Sequence, residues 1–258
     1  VISIGDELLI GQTINTNASW IGEQLLNIGI HLKWVTTVGD DAADLEQALK
    51  IAESRSDVIL VTGGLGPTHD DITKKVVCKY YDSKLVMNEE VLEQVKERFR
   101  KRKVKMVKVN EDQALVPVNA EVIINDSGTA PGMVFRQNGS ATYVLPGVPR
   151  EMKSMMNREI LPELKANMGD NVILVKMLCT TGIPESTLFE TIGDIDEIEK
   201  FAKLAFLPSL QGVKIRIMVK ESSQEKAAEV LERAEQLVRK NVERFIYAEE
   251  QMLLEQAV

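Results

Sequence analysis

Residues 62–71 read TGGLGPTHDD and follow the apolar run Asp57-Val58-Ile59-Leu60-Val61. Gly63, Gly64 and Gly66 let the backbone approach an anion closely and adopt positive φ, so successive N–H groups can point at phosphate oxygens. Pro67 and Thr68 then lead toward a helix whose positive end adds to that field. Asp70 and Asp71 complicate a bare anion site. Two carboxylates at its mouth repel a phosphate unless a divalent cation lies between them. Alternatively, one aspartate caps the helix and the other stabilises its first turn. The stretch is neither G-x-x-x-x-G-K-[ST] nor G-x-G-x-x-G, so the usual nucleotide fingerprints do not explain it. His69 is a candidate ligand or proton carrier, or a solvated turn residue.

Four further windows carry similar residue types. GDELLIGQTINTN, residues 5–17, brings Asp6 and Glu7 to the end of a first strand and leads through Gly11 to Asn15, Thr16 and Asn17; its plain alternative is a turn with a cap at Thr16 or Asn17. VGDD, residues 38–41, ends a second strand with Asp40 and Asp41, either of which could cap a helix. GTAPG, residues 128–132, offers backbone donors at Gly128 and Thr129. LPGVPREM, residues 145–152, opens a helix with Arg150 and Glu151, where Arg150 either contacts phosphate or pairs with a local carboxylate. Three neighbouring strands each deliver a glycine and an acid to one edge, and that convergence outweighs any single acid.

The elements that must position these residues alternate. Strand-like runs at Val1–Gly5, Ile30–Gly39 and Asp57–Thr62 are separated by Ala18, Ile21, Leu25, Leu26, Ile28 and by Leu45, Ala48, Leu49, Ala52, both at helical spacing. A β-α-β-α-β order predicts an α/β domain with a mainly parallel sheet covered on both faces, joined by right-handed crossovers. Helices are expected at Asp71–Tyr81, at Asn88–Lys103 with its acidic start and basic end, and from about Pro149 to Asn157. Strands are expected at Glu121–Asn125, Met133–Arg136 and Thr142–Leu145. His31, inside a strand, is structural. After Pro162 the pattern changes. Strands at Val172–Thr181, Val213–Lys220 and Arg244–Tyr247, with helices at Pro184–Ile192 and Ser222–Asn241, predict a smaller α+β unit on an antiparallel sheet. The boundary is placed near residue 168.

A chain of 258 residues holds one large or two ordinary domains. Its formal net charge of -8 argues against a nucleic-acid binder relying on a basic face, but leaves room for a small phosphate ligand held by backbone donors or a cation. The basic run Arg98–Lys103 is a charge-complemented helix end. Cys78 and Cys179 form no CxxC pair and read as idle thiols. No apolar run suits a membrane helix and no signal peptide is visible, so the expected location is cytoplasmic. The chain starts on Val1 inside a strand-like run, which suggests missing upstream residues.

Taken together, GDELLIGQTINTN, VGDD, TGGLGPTHDDIT, GTAPG and LPGVPREM resemble the N-terminal part of the CinA (competence/damage-inducible protein A) family and, more distantly, the MoaB/Mog molybdopterin-binding fold. GIPES, residues 182–186, with the following VKIRI resembles that family's KH-like middle domain, although no GxxG clamp for RNA is present. The resemblance implies a three-layer MoaB/Mog-like domain over residues 1–168, a KH-like α+β domain over 169–250, and a linker or tail at 251–258. Many relatives carry a further C-terminal amidase domain; the sequence stops at Val258, too soon to hold one, through truncation or as a shorter form, and no amidase activity is expected of it. It further implies hydrolysis of a nucleotide-sugar pyrophosphate, ADP-ribose to AMP and ribose 5-phosphate, with Mg²⁺, Mn²⁺ or Co²⁺.

On this reading Asp71, Asp70 and Asp40 are catalytic, and Asp70, Asp71 and Glu7 hold the metal. Thr62, Gly63, Gly64, Gly66, Thr68, Asn17, Gly128 and Thr129 bind substrate. Molybdopterin-inserting relatives resemble TGGTG followed by Arg-Asp-x-Thr; here Asp71 matches the aspartate and Asp70 replaces the arginine, which favours a metal-bridged ligand over direct phosphate contact. The expected partners are a small ADP-ribose-like nucleotide and a second copy in a homodimer, with neither nucleic acid nor membrane. Two other readings stay open: non-catalytic binding of a pterin or nucleotide, and an interaction or dimerisation scaffold.

Overall fold

A computed structural model describes residues 1–68, 71–137, 139–167 and 172–249. Two compact units emerge, Val1–Gln24 with Leu32–Leu164, and Leu25–His31 with the chain from Lys165 onward. The boundary expected near residue 168 and the tail at 251–258 lie outside the described residues.

The first unit runs β1 (Ile2–Ile4), α1 (Asp6–Leu9), α2 (Thr16–Asn27), β2 (Thr36–Val38), α3 (Ala42–Glu53), β3 (Val58–Thr62), α4 (Thr73–Tyr80), β4 (Leu85–Met87), α5 (Glu89–Arg102), α6 (Lys108–Glu111), β5 (Leu115–Pro117), β6 (Glu121–Ile123), β7 (Gly132–Gln137), β8 (Ser140–Leu145), α7 (Pro149–Met155) and α8 (Leu161–Ala166). Six strands form one sheet in the order β2-β1-β3-β8-β7-β6, and β4 pairs with β5 separately. Strands β2, β1, β3 and β8 are parallel; β7 runs against β8 and β6. This is the mainly parallel sheet that the alternating pattern predicts.

Side chains alternate across the sheet with a period of two. Ile2, Ile4, Ile59, Val61 and Val144 enter one core with Leu45 and Leu49 of α3 and Val76 and Val77 of α4. Ser3, Leu60 and Thr62 therefore face the other side, where α2 begins. There Met155 of α7 lies against Gly132 of β7. Because both faces are covered, the strands read as near-continuous apolar runs rather than as alternating ones.

Two expected elements are shorter than their apolar runs. β2 starts at Thr36 rather than Ile30, because it is an edge strand whose only neighbour, β1, spans three residues. His31 consequently lies outside any strand and is exposed, contrary to the sequence reading. α4 starts at Thr73 rather than Asp71, because the Asp71 side chain turns back into the preceding loop. By contrast, α5 fills the span its sequence predicts, with Asn88 as an N-cap accepting from Val91 N and Lys103 closing it in the left-handed conformation.

The second unit runs β9 (Val172–Thr180), α9 (Glu185–Ile192), α10 (Ile195–Glu199), β10 (Lys203–Ser209), β11 (Gly212–Glu221), α11 (Gln224–Val242) and β12 (Ile246–Ala248). Its antiparallel sheet has the order β10-β11-β9-β12. Val213, Ile215, Ile217 and Val219 alternate into a core with Leu188, Ile192, Ala234, Val238 and Val242, so the helices cover one face, as expected of a KH-like unit. β10, an edge strand containing Pro208, was not anticipated. No helix among the described residues is long and apolar enough to cross a membrane.

Candidate functional site

Parallel strands share one carboxyl edge, and all the windows gather there. Segments 5–17, 38–41 and 62–68 leave the ends of β1, β2 and β3; residues 145–150 leave β8; and 124–131 cross the same edge from β6 to β7. The chain passes from β1 outward to β2, then returns to the far side of β1 to form β3. Crossovers thus diverge between β1 and β3, which is where open α/β sheets leave a crevice for ligands.

A cleft of about 430 Å³, including its open mouth, occupies that crevice and is lined by Ser3, Glu7, Asn15, Asn17, Thr62 and Gly147 among others. Ser3 and Thr62 are register partners on adjacent strands, both facing α2. Asn15 Nδ2 donates to Ser3 Oγ at 2.9 Å while Asn15 Oδ1 accepts from Ala18 N, so Asn15, rather than Thr16 or Asn17, caps α2. Asn17 Nδ2 donates to Gly147 O at 2.7 Å and more weakly to Thr62 Oγ1 at 3.4 Å. Thr62 Oγ1 in turn donates to Pro146 O. Asn17 therefore latches the start of α2 to the ends of β3 and β8, which fixes the orientation of its amide. Its Oδ1 is sealed from solvent with no partner among the described residues.

The glycine loop is folded on itself. Gly63 N donates to Leu145 O, and Thr73 returns both its N–H, to Gly64 O, and its hydroxyl, to Gly63 O at 2.9 Å. Asp71 Oδ1 accepts from Gly66 N at 2.7 Å; Oδ2 accepts from Thr68 N at 2.8 Å and from the Thr68 hydroxyl. The N–H groups that the sequence reading offers to a phosphate at Gly66 and Thr68 are thus held by the loop's own carboxylate. Gly64, with φ of 61°, leaves its N–H without a partner among the described residues. Asp70 and His69 lie outside the described residues.

The remaining acids divide by role. Asp6 N donates to Asp40 Oδ2 at 3.1 Å and Asp40 N to Asp6 Oδ1 at 3.2 Å, a reciprocal clamp between the ends of β1 and β2. Asp41 caps α3 through Ala43 N and Asp44 N. The carboxylate of Glu7 folds back over Gly5 and has no hydrogen-bond partner among the described residues. No three His, Cys, Asp or Glu side chains converge on one point among the described residues. Among the described residues, then, these acids do not amount to an all-protein metal cage.

Gly128 and Thr129 stand at the same edge, and Gly128 is already committed. Gly128 N donates to Asn125 Oδ1 at 2.7 Å, its carbonyl accepts from Arg98 Nε at 3.0 Å, and a Cβ on Gly128 would meet Glu151. Glu151 accepts from Asn125 Nδ2 rather than pairing with Arg150. Arg150, in the first turn of α7, is exposed and makes no ion pair among the described residues.

One residue escaped the sequence reading. Lys74 is buried, and its Nζ donates to Gln113 O at 2.9 Å and Asp112 O at 3.2 Å. Burial lowers its pKa to about 8, a shift the charges of Asp112 and Asp71 partly offset. A signal was available: Lys74, Val77, Cys78 and Tyr81 follow the i, i+3, i+4, i+7 spacing of a buried helix face.

Residues 1–166 match the family described as "Probable molybdopterin binding domain", and residues 175–248 match "Damage-inducible protein CinA KH domain". A protein of Caldicellulosiruptor bescii named for competence and damage induction is 39% identical over 258 residues, all of this chain and 62% of that protein. A CinA-like protein of Flavobacterium psychrophilum is 43% identical over 221 residues, 84% of this chain and 52% of that one. The chain thus spans about three fifths or less of the length of these relatives. The crystal structure of CinA from Thermoplasma acidophilum, titled as having unknown function, aligns with a TM-score of 0.57 at 32% identity, covering 64% of this chain and 95% of that one.

Proposed function

The chain belongs to the CinA family of competence/damage-inducible proteins, and from that premise we propose that its first unit hydrolyses a nucleotide-sugar pyrophosphate, cleaving ADP-ribose to AMP and ribose 5-phosphate with a divalent metal. The observation that carries this reading is the gathering of the acidic and glycine-rich windows on one sheet edge, around a crevice between β1 and β3.

Asp71 is placed rigidly by Gly66 and Thr68 and is the first carboxylate available to an ion, with Asp70 beside it in sequence. Bound there, Mg²⁺, Mn²⁺ or Co²⁺ would neutralise the diphosphate and lower the pKa of a water. The chain's own contribution is positioning. The N–H of Gly64 and the exposed Arg150 guanidinium, neither with a partner among the described residues, would serve the diphosphate, and the Asp6–Asp40 clamp holds the turn that carries Glu7. Water adds to one phosphorus, the bridging P–O bond breaks, and the two monophosphates leave. Purified protein assayed against dinucleotide pyrophosphates and ADP-ribose with each metal tests the reading; no phosphate-ester product with any of them would sink it.

A second reading has support in the match of residues 1–166 to a molybdopterin-binding family: the same crevice holds a pterin or nucleotide without turning it over. Tight binding by calorimetry beside a flat product assay across all three metals would favour it.

A further inference from the structure

Lys74, 9% exposed, is the only buried charged side chain among the described residues, and the reaction above leaves it unused. Its Nζ donates to the carbonyls of Asp112 and Gln113, and it makes no ion pair among the described residues. A buried ammonium is costly and is normally matched by a carboxylate in contact with it. Two carbonyl bonds could come from a neutral donor at no such cost. Polar pairing beside it is also incomplete, because Gln113 Oε1 is sealed from solvent with no partner among the described residues. A cation kept under these conditions points to a task that needs the charge itself.

Position ties that charge to the glycine loop. Lys74 follows Thr73, whose N–H and hydroxyl donate to Gly64 O and Gly63 O. The first turn of α4 therefore grips the loop on one side and the 112–113 turn on the other. The charges that act on the ammonium are those of Asp112, from that turn, and Asp71, from the loop. Gly64, whose carbonyl Thr73 holds, keeps an N–H without a partner among the described residues. An anion meeting that N–H feels the ammonium through protein rather than through water, where its attraction is less screened.

We propose that Lys74 is a positioning residue for the diphosphate: its buried positive charge, seated behind the glycine loop on the carbonyls of Asp112 and Gln113, draws the anion to the Gly64 N–H without touching it. This rests on the pyrophosphate reading above and adds to it a cation distinct from the metal and from Arg150. The coupling is reciprocal. Whatever the Lys74 proton adds to anion affinity, the bound anion adds to the hold on that proton.

Inorganic pyrophosphate is the probe, in EDTA so that neither metal nor turnover enters, with the whole chain and its Lys74→Met and Lys74→Arg variants. At pH 7 the parent should bind about tenfold more tightly than Lys74→Met, the equivalent of one pKa unit, and Lys74→Arg should match the parent. Burial makes the unliganded parent lose the Lys74 proton at about pH 8. At pH 9.5 its affinity should therefore fall to that of Lys74→Met, while Lys74→Arg stays tight. A tether acting only through its two carbonyls would give a ratio that does not change with pH. NMR of the parent with labelled lysine reads the same coupling without depending on how a variant folds, the Lys74 Cε signal being the one absent from either variant. Saturating pyrophosphate should raise the Lys74 pKa by about one unit. An unmoved pKa, or a parent-to-Lys74→Met ratio that is equal at both pH values, overturns the proposal and leaves the hydrolase reading standing. Absence of pyrophosphate binding by the parent at either pH overturns it as well, and the product assay with each metal then decides the hydrolase reading separately.

Discussion

The Asp71 carboxylate accepts the Gly66 N–H at 2.7 Å, closing the glycine loop around its own anion. The second carboxylate oxygen takes the Thr68 N–H and hydroxyl, so three donors converge on one side chain. In Asp71→Asn the Nδ2 group must face one of those donors. Turnover of ADP-ribose in the presence of metal should disappear, and the loop should loosen at a cost of about 1–3 kcal/mol, the size of a charge-assisted hydrogen bond. Product assay and urea denaturation check both parts. Unchanged turnover would remove Asp71 from the mechanism.

Two glycines of the loop should respond differently to alanine. Gly64 has φ of 61°, and its Cβ would strike the buried Thr73 hydroxyl, so Gly64→Ala should cost at least about 2 kcal/mol from backbone and clash together. Gly66 lacks a positive φ, and its Cβ would meet the Asp71 carboxylate instead. Gly66→Ala should therefore resemble Asp71→Asn in activity with a smaller loss of stability. Combining Gly66→Ala with Asp71→Asn should cost less stability than the two single losses summed. Additive losses in urea denaturation would mean that the two residues do not act through one contact.

How far this was legible in the sequence depends on the kind of signal. The strand ends and the glycine windows announce themselves because apolar runs, turns and caps are local, and order along the chain fixes which edge they share. What stays hidden is where a carboxylate spends its oxygens. Asp40, Asp41, Asp71 and Glu7 are indistinguishable as acids, yet one clamps a neighbouring turn, one caps a helix, one closes a loop and one folds back over Gly5. Those roles depend on backbone N–H directions a few ångströms away, set by loop conformation rather than by residue type. The short β2 was hidden for a related reason: a strand extends only as far as a partner runs beside it, and pairing is not written in the strand's own residues.

Asp40 and Asp6 exchange backbone N–H bonds across the ends of β2 and β1. Asparagine in place of Asp40 keeps an acceptor for Asp6 N, whereas alanine does not. Asp40→Asn should hold turnover within about twofold, while Asp40→Ala should lose about 1 kcal/mol of stability and roughly tenfold in turnover as the turn bearing Glu7 loosens. If Asp40→Asn is as inactive as Asp40→Ala, the charge itself takes part and the clamp is secondary.

Arg150 projects from the first turn of α7 without an ion pair among the described residues. A cation at that position should strengthen binding of the diphosphate before and during reaction alike. Arg150→Ala is expected to raise KM several-fold with little change in kcat, and the effect should fade as salt is raised. A fall in kcat at constant KM would instead put the guanidinium on charge that develops only in the transition state.

Lys74 gives the fold a dependence on pH. Its ammonium is buried behind the Asp71 loop and loses its proton at about pH 8 instead of the ordinary 10.5, because burial disfavours the charged form. Below pH 8 folded and unfolded chains are both protonated there, and the full penalty of burying the charge applies. Between about pH 8 and 10.5 the unfolded chain keeps a proton that the folded chain has released. Stability therefore rises with pH across that window, by at most about 1.4 kcal/mol per unit. Burial also raises the Tyr80 and Tyr81 phenols, which keep their protons above the usual 10 and turn the slope the other way at higher pH. Burial also raises the Cys78 thiol above its usual 9.0, which opposes the lysine near the top of the range, so the lysine is read as the difference between parent and variant in urea midpoints from pH 7.5 to 9.5. The parent chain should gain stability across that range and Lys74→Met should not. An equal slope in both would assign the dependence to another group.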